Sequence, residues 1–205
     1  DSIPFVVGRA DFLATSRDIA QRAVVLVADS LGTVDSLRRA ARSLTLITYG
    51  DENSPTVGAV LTAELRAAGH SVTAVRLWPA SGPASLDSAR AALARNEYAI
   101  FAAAVRATAW RGTIALPDPV AQLINSVAGR RRTLLVSLGS PYLLSQTPHV
   151  SSYLLAWASN PVTEWAVARA LTGRAAISGH LPISLPPRYP LGYGLSRPPT
   201  HPEPP

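Results

Sequence analysis

Asp51 and Glu52 are adjacent carboxylates that follow the apolar run Leu44 to Tyr49. General acid-base attack on a glycosidic bond uses two carboxyl groups roughly 5 to 10 Å apart. Sequence neighbours rarely face one another, so capping or solvation is the stronger reading for Asp51 and Glu52. Ser140, within Leu138-Gly139-Ser140-Pro141-Tyr142, comes nearest to the Gly-x-Ser-x-Gly of a serine hydrolase. It stands one place off with proline behind it, which makes it a turn residue. Arg106, Trp110 and Arg111 share the longest irregular stretch, Arg106 to Pro117. Arginine and tryptophan in one loop suit an interface hot spot or the stacking of a sugar ring, and the competing reading packs Trp110 over its own domain. The histidines, His70, His149, His180 and His201, lie far apart with no two on one helix face, so no metal site is expected.

Composition removes other chemistries. All 19 basic residues are arginine, which excludes a lysine Schiff base, a lysine nucleophile and a Walker-type phosphate lysine. Cysteine is absent, and with it thiolate catalysis, disulfides and thiolate-held metals. After the first strand of the sheet a dinucleotide fold would place Gly-x-Gly-x-x-Gly, whereas the chain reads Tyr49-Gly50-Asp51-Glu52-Asn53-Ser54, whose negative charge repels phosphate. No cofactor is expected. The net charge of +6 invites a nucleic-acid partner, but the arginines are scattered along the chain, and the one run, Arg130-Arg131-Arg132, follows a predicted helix end where cations complement the dipole. Neither nucleic acid nor a membrane is expected as partner, since no apolar run approaches the roughly 20 residues of a spanning helix. The chain holds no methionine and begins Asp1-Ser2-Ile3-Pro4, so it reads as a piece of a longer polypeptide.

The elements that must position these residues follow from period. At 205 residues with 47% hydrophobic and 16% charged side chains, a sizeable core is expected. Near-continuous apolar runs at Leu44 to Tyr49, Tyr98 to Val105, Thr133 to Leu138 and Ser152 to Trp157 predict strands covered on both faces. The alternating run Val72 to Leu77 suits an edge strand. Ser54-Pro55, Asp118-Pro119 and Asn160-Pro161 each offer a capping oxygen before a proline at a helix start, and Gly69, Gly129 and Gly173 stand where those helices should stop. Further helices are predicted from Leu86 to Arg95 and from about Ser16 to Ala28. The alternation argues for an α/β fold, a three-layer αβα sandwich around a mostly parallel, five-stranded, doubly wound sheet. From Ala175 the Pro- and Gly-rich chain reads as an extended strap packed on the domain, and Pro198 to Pro205 as a disordered tail. Residues 1–15 read as a linker. Ligands of such sheets bind outside the carboxyl ends of the strands, so the loops Gly50 to Ser54, Trp78 to Ser85, Arg106 to Pro117, Gly139 to Tyr142 and Ala158 to Asn160 are the candidates.

Five motifs in order carry a family resemblance: Ser137 to Leu144, Tyr153 to Trp157, Ala168 to Gly173, Gly179-x-Leu181-Pro182-Ile183-Ser184, and Gly192-x-Gly194-Leu195. With Ile19-Ala20-x-x-Ala23-Val24-x-Leu26-Val27 as the entering helix, they resemble the carboxyl-terminal domain of glycoside hydrolase family 3 from about Ser16 to Arg197, closest to its bacterial β-N-acetylhexosaminidase branch. The Leu-Pro-Leu usual after the entry helix is replaced by Leu31-Gly32-Thr33-Val34. The resemblance implies that an amino-terminal (β/α)8 barrel carries the aspartate nucleophile, and in this branch an aspartate-histidine acid-base pair. No position here matches those motifs, so no catalytic residue is carried over. The implied role is a non-catalytic accessory domain that packs on the barrel and walls the sugar site, carbohydrate lying at the domain interface. Asp51, Glu52, Arg106, Trp110, Arg111, Ser140 and Tyr142 are the substrate-binding or interface candidates. Relatives of this branch are often exported, so a periplasmic or secreted setting follows on family grounds. The alternative is a self-standing glycan- or protein-binding module.

Overall fold

A computed structural model describes residues 8–107 and 114–201. Helix α1 (Ala10–Ala23) leads into strand β1 (Val25–Asp29), followed by α2 (Thr33–Arg39), β2 (Ser43–Tyr49), α3 (Ala59–Ala67), β3 (Ser71–Leu77), α4 (Pro83–Ala94) and β4 (Tyr98–Ala103). Then come α5 (Asp118–Val127), β5 (Arg132–Ser137), a 3-10 turn at Pro141–Ser145, β6 (Ser152–Leu155) and α6 (Pro161–Leu171). The sheet has six strands in the order β1-β6-β5-β4-β2-β3, parallel throughout except where β1 runs antiparallel to β6. The αβα architecture is the one expected, with one strand more.

The extra strand corrects the reading of Ser16 to Ala28 as a single helix. That helix ends at Ala23, and after Val24 the buried Val25, Leu26 and Val27 belong to a strand. Stiff β-branched side chains on successive positions need cover on both faces, which a sheet supplies. The same helix starts at Ala10, inside the stretch expected as linker.

Side chains alternate across the sheet into two cores. Ile47, Phe101, Leu135 and Tyr153 pack against Leu93 of α4 and Leu123 and Ile124 of α5. Leu46, Ile100, Val136 and Leu154 pack on the other face against Leu37 of α2, Leu61 and Leu65 of α3, and Val167 of α6. Each such fully buried Leu, Ile or Phe contributes about 1.5–3 kcal/mol. Strand β3, which holds the run Val72 to Leu77, lies at an edge of the sheet as expected.

Helix stops behave as expected, with Gly69, Gly129 and Gly173 all in the left-handed region. Helix starts do so only at Asn160, whose side chain accepts the Thr163 N–H at 2.9 Å. Asp118 is the first helical residue behind Pro117, and Ser54 lies in a turn, its N–H bonded to Asp51 O at 3.0 Å. The strap closes the free edge of β1: Gly179 N–H donates to Val24 O and Leu195 N–H to Leu26 O, while Leu181 and Leu185 enter the core. Residues Pro198 to His201 are also fixed, against the expectation of disorder. The Thr200 and His201 N–H groups both donate to Gly173 O, and the buried Arg38 guanidinium donates to the carbonyls of Ala170, Ala175 and Pro198. Proline lacks a donor but keeps its acceptor, so a Pro-rich segment can still be tied down by a cation.

Candidate functional site

The strand order reverses between β2 and β4: α3 leads outward to β3, and α4 crosses back to β4. Chain leaves both sides of that point and opens a crevice at the carboxyl edge. The edge is held by a row of backbone hydrogen bonds that extend the parallel ladder one residue past the strands. Ala104 N–H donates to Tyr49 O at 2.8 Å, Leu138 N–H to Ala103 O at 2.9 Å, and Ala156 N–H to Ser137 O at 2.9 Å. Ser140 N–H reaches Val105 O at 2.6 Å and joins the β4 and β5 loops. Only glycine fits between them, because a Cβ on Gly139 would stand 2.1 Å from Val105 O.

Asp51, Arg106 and Ser140 therefore sit on adjacent loops, after β2, β4 and β5. Asp51 turns its Oδ1 onto the N–H of Glu52 at 2.8 Å, and its carbonyl accepts Arg76 Nη2 at 3.0 Å. That contact lies within the turn after β2 and caps no helix, since α3 starts at Ala59 behind Gly58, and the Glu52 side chain is exposed to solvent. Arg106 is exposed as well, and Trp110 and Arg111 lie outside the described residues.

Ser140 is a buried cap. Its Oγ accepts the Tyr142 N–H at 3.4 Å, its carbonyl accepts the Ser137 hydroxyl at 2.6 Å, and no histidine bonds to it among the described residues. A hydroxyl so used, with no base against it, is no activated nucleophile. Behind it the buried Tyr153 hydroxyl donates to Pro141 O at 2.8 Å, and burial pushes its phenol well above the ordinary range, so it stays a donor. Tyr142 stands 55% exposed on the rim of an apolar cavity of about 290 Å³. Leu144, Val150, Leu185, Pro186 and Tyr189 line that cavity, between the 3-10 turn and the strap.

Two residues at this edge were not legible in the sequence. Glu164 of α6 is only 3% exposed, and its carboxylate accepts Gly58 N–H at 2.7 Å, Val60 N–H at 3.0 Å and Leu61 N–H at 3.3 Å. It supplies the negative charge that the start of α3 lacks, where the orphan donors and the dipole converge. The signal that could have found it is a lone carboxylate in a helix otherwise mostly apolar. Trp157, at the end of β6, has φ of 66° and donates its indole N–H to Ala23 O at 2.8 Å. A bulky residue in the left-handed region is a strained position, held here by that bond and its packing.

The edge thus offers exposed charged side chains on a rigid backbone frame, a means of contact. The family model for the glycosyl hydrolase family 3 C-terminal domain matches residues 15–197. The chain belongs to that family as its carboxyl-terminal domain. No curated protein sequence matches it. Among solved structures this family 3 domain is similar to a β-glucosidase from Listeria innocua in complex with isofagomine, at 15% identity and a TM-score of 0.70, covering 93% of this chain and 34% of that one. It is also similar to a family 3 β-N-acetylglucosaminidase from Paenibacillus sp. (13% identity, TM-score 0.64, 83% of this chain and 32% of that one). An exo-β-xylosidase of the family in complex with a xylobiose aziridine probe matches at 15% identity and TM-score 0.65, over 89% of this chain and 26% of that one. The family 3 domain described here spans about a third or less of these chains.

Proposed function

We propose that this domain is the non-catalytic sandwich of a family 3 β-N-acetylhexosaminidase, which hydrolyses terminal N-acetylhexosamine residues with groups carried on a separate barrel of the same polypeptide. The observation that carries the reading is the match over residues 15–197 in a chain that spans about a third of its solved relatives. The capping use of Ser140 supports it, since it leaves that hydroxyl no part in nucleophilic attack. In this reading the carboxyl-edge loops face the barrel. Asp51, Glu52 and Arg106, with Trp110 and Arg111, wall the sugar site, and Ser140 fixes the frame on which Arg106 is held. The hexosaminidase branch rests on the motif series from Ser137 to Leu195 and on likeness to the Paenibacillus enzyme.

Hydrolysis of an aryl N-acetyl-β-glucosaminide tests both levels. The 205-residue chain by itself should give no turnover. Turnover by the chain that Glu52→Gln abolishes would overturn the assignment of chemistry to the barrel. The barrel-bearing polypeptide should prefer the N-acetylglucosaminide over the aryl glucoside by more than about tenfold, since a site built for the acetamido group leaves polar partners unmet without it. The opposite preference would move the protein to the β-glucosidase side of the family.

A further inference from the structure

Arginines that are scattered in the sequence meet at the amino edge of the sheet. Arg90, Arg95, Arg130 and Arg131 line one open groove of about 520 Å³ between the ends of α4 and α5. Arg42 and Arg132 stand at the same edge but over Tyr98, the first residue of β4, their guanidinium carbons 5.6 and 5.8 Å from its ring centroid, on the α2 side of the sheet away from the groove. Among the described residues two carboxylates pair with these arginines: Asp87 with Arg90 at 2.7 Å, and Glu97, which also lines the groove, with Arg132 at 3.2 Å. Arg131 is spent on the carbonyl of Asn96, and Arg132 also on that of Leu31. Arg95 and Arg130 are exposed and carry no ion pair among the described residues.

Complementing helix dipoles does not account for this excess. The ends of α4 and α5 carry about half a negative charge each, roughly one in total. At the groove four arginines against Asp87 and Glu97 leave two positive charges, about twice what the two helix ends offer.

We propose that this edge is a docking face for an anionic polysaccharide, one bearing carboxylate or sulfate groups along its length. Guanidinium forks match such groups in a bidentate manner. The groove is open to solvent, so a chain can lie across it. Nucleic acid is the poorer fit, because single strands bind by stacking bases on exposed rings and Tyr98 is buried beneath its arginines. A bilayer is poorer too, since interfacial binding inserts an apolar face and Leu31 is the one large exposed apolar residue bonded to the cluster. The choice of polysaccharide among polyanions rests on the glycosidase reading. The face lies opposite the carboxyl edge, so it would hold the polymer while leaving the barrel-facing loops clear.

The test is calorimetric titration of the 205-residue chain with polygalacturonate, and with uncharged dextran of equal length. Polygalacturonate should bind, dextran should not, and affinity should fall steeply with added salt, as charge neutralisation requires. Arg95→Ser with Arg130→Ser, both exposed and without an ion pair among the described residues, should weaken binding about tenfold at low salt. The same double change at Arg17 and Arg188, remote from the edge, should leave it unaltered. Equal loss from the remote pair, or none from the edge pair, overturns the proposal. So does binding of single-stranded DNA or of anionic vesicles as tight as that of polygalacturonate at matched charge, which would reassign the face. The readout involves no hydrolysis, so it can fail while the hydrolase reading stands, and the reverse.

Discussion

The two ends of the sheet are built from different materials. At the carboxyl edge the parallel ladder is carried past the strands by backbone bonds from Ala104, Leu138, Ser140 and Ala156, and a buried carboxylate, Glu164, holds the start of α3. At the amino edge the same strands begin among solvated arginines whose bonds go chiefly to carbonyls and a ring. Backbone contacts fix position to within a fraction of an ångström, whereas a cluster of long charged side chains fixes only a potential. A wall of a sugar site needs the first, and a surface that takes hold of a flexible polymer needs the second. If that contrast is right, substitutions at the carboxyl edge should be felt in stability, and those at the amino edge in charge-dependent behaviour.

The largest effect should come from Glu164→Ala, which leaves the N–H groups of Gly58, Val60 and Leu61 without an acceptor. Each orphaned buried donor costs about 1–3 kcal/mol, so a loss of about 3–5 kcal/mol in urea unfolding is expected. Glu164→Gln, which keeps one good acceptor, should lose roughly half as much. A loss below about 1 kcal/mol for the alanine would mean that α3 starts without help. Next is Gly139→Ala, whose methyl must displace the Val105 carbonyl. Overpacking of this kind costs about 1–3 kcal/mol, and the displaced carbonyl should also release Arg106 from its place, read as a raised KM in the barrel-bearing enzyme. Ser140→Ala removes a cap and should cost about 1 kcal/mol, with kcat of the whole enzyme unchanged. A fall in kcat without loss of stability would revive Ser140 as a reacting group.

How far the sequence led depends on whether a feature is local. Strands β2, β4, β5 and β6 were legible because a near-continuous apolar run has one structural meaning in a parallel sheet, β3 because its alternating run suits an edge, and the helix stops because a glycine acts where it stands. Strand β1 was hidden, since Ala23 to Ala28 continue the apolar pattern of α1 with no breaker between them. The start of α3 was misplaced at Ser54 for another reason. Its acceptor is Glu164, more than a hundred residues on, and no window of sequence contains both. The arginine cluster was invisible on the same ground. Arg42, Arg95 and Arg130 each stand where a helix ends or a strand begins, and a parallel sheet brings all such points to one edge, while Arg90 joins them from within α4. Topology located the loops of Asp51, Arg106 and Ser140, but side-chain direction was beyond reach, as Tyr142 shows by turning to the strap.

The smallest effect sharpens the amino side of the comparison. His70, buried just before β3, accepts the Arg42 N–H at its Nδ1 at 3.1 Å. Burial holds its imidazole below the ordinary 6.5, chiefly by disfavouring the charged form. A group whose folded value is depressed binds its proton more weakly in the native state than in the unfolded one. Its contribution is therefore complete above about pH 6.5 and is lost as pH falls through the lower folded value. Protonation also removes the acceptor for Arg42 and adds a cation beside an edge already rich in them. Stability measured by urea unfolding should fall between neutral pH and the acid side, and His70→Asn, which keeps an acceptor and cannot charge, should flatten that fall. Added salt should flatten it too, because screening weakens the repulsion from Arg42. At the carboxyl edge, where Glu164 and the backbone ladder carry the load, salt should leave the losses from Glu164→Ala and Gly139→Ala nearly unchanged. A salt response of equal size at both ends would erase the distinction between them.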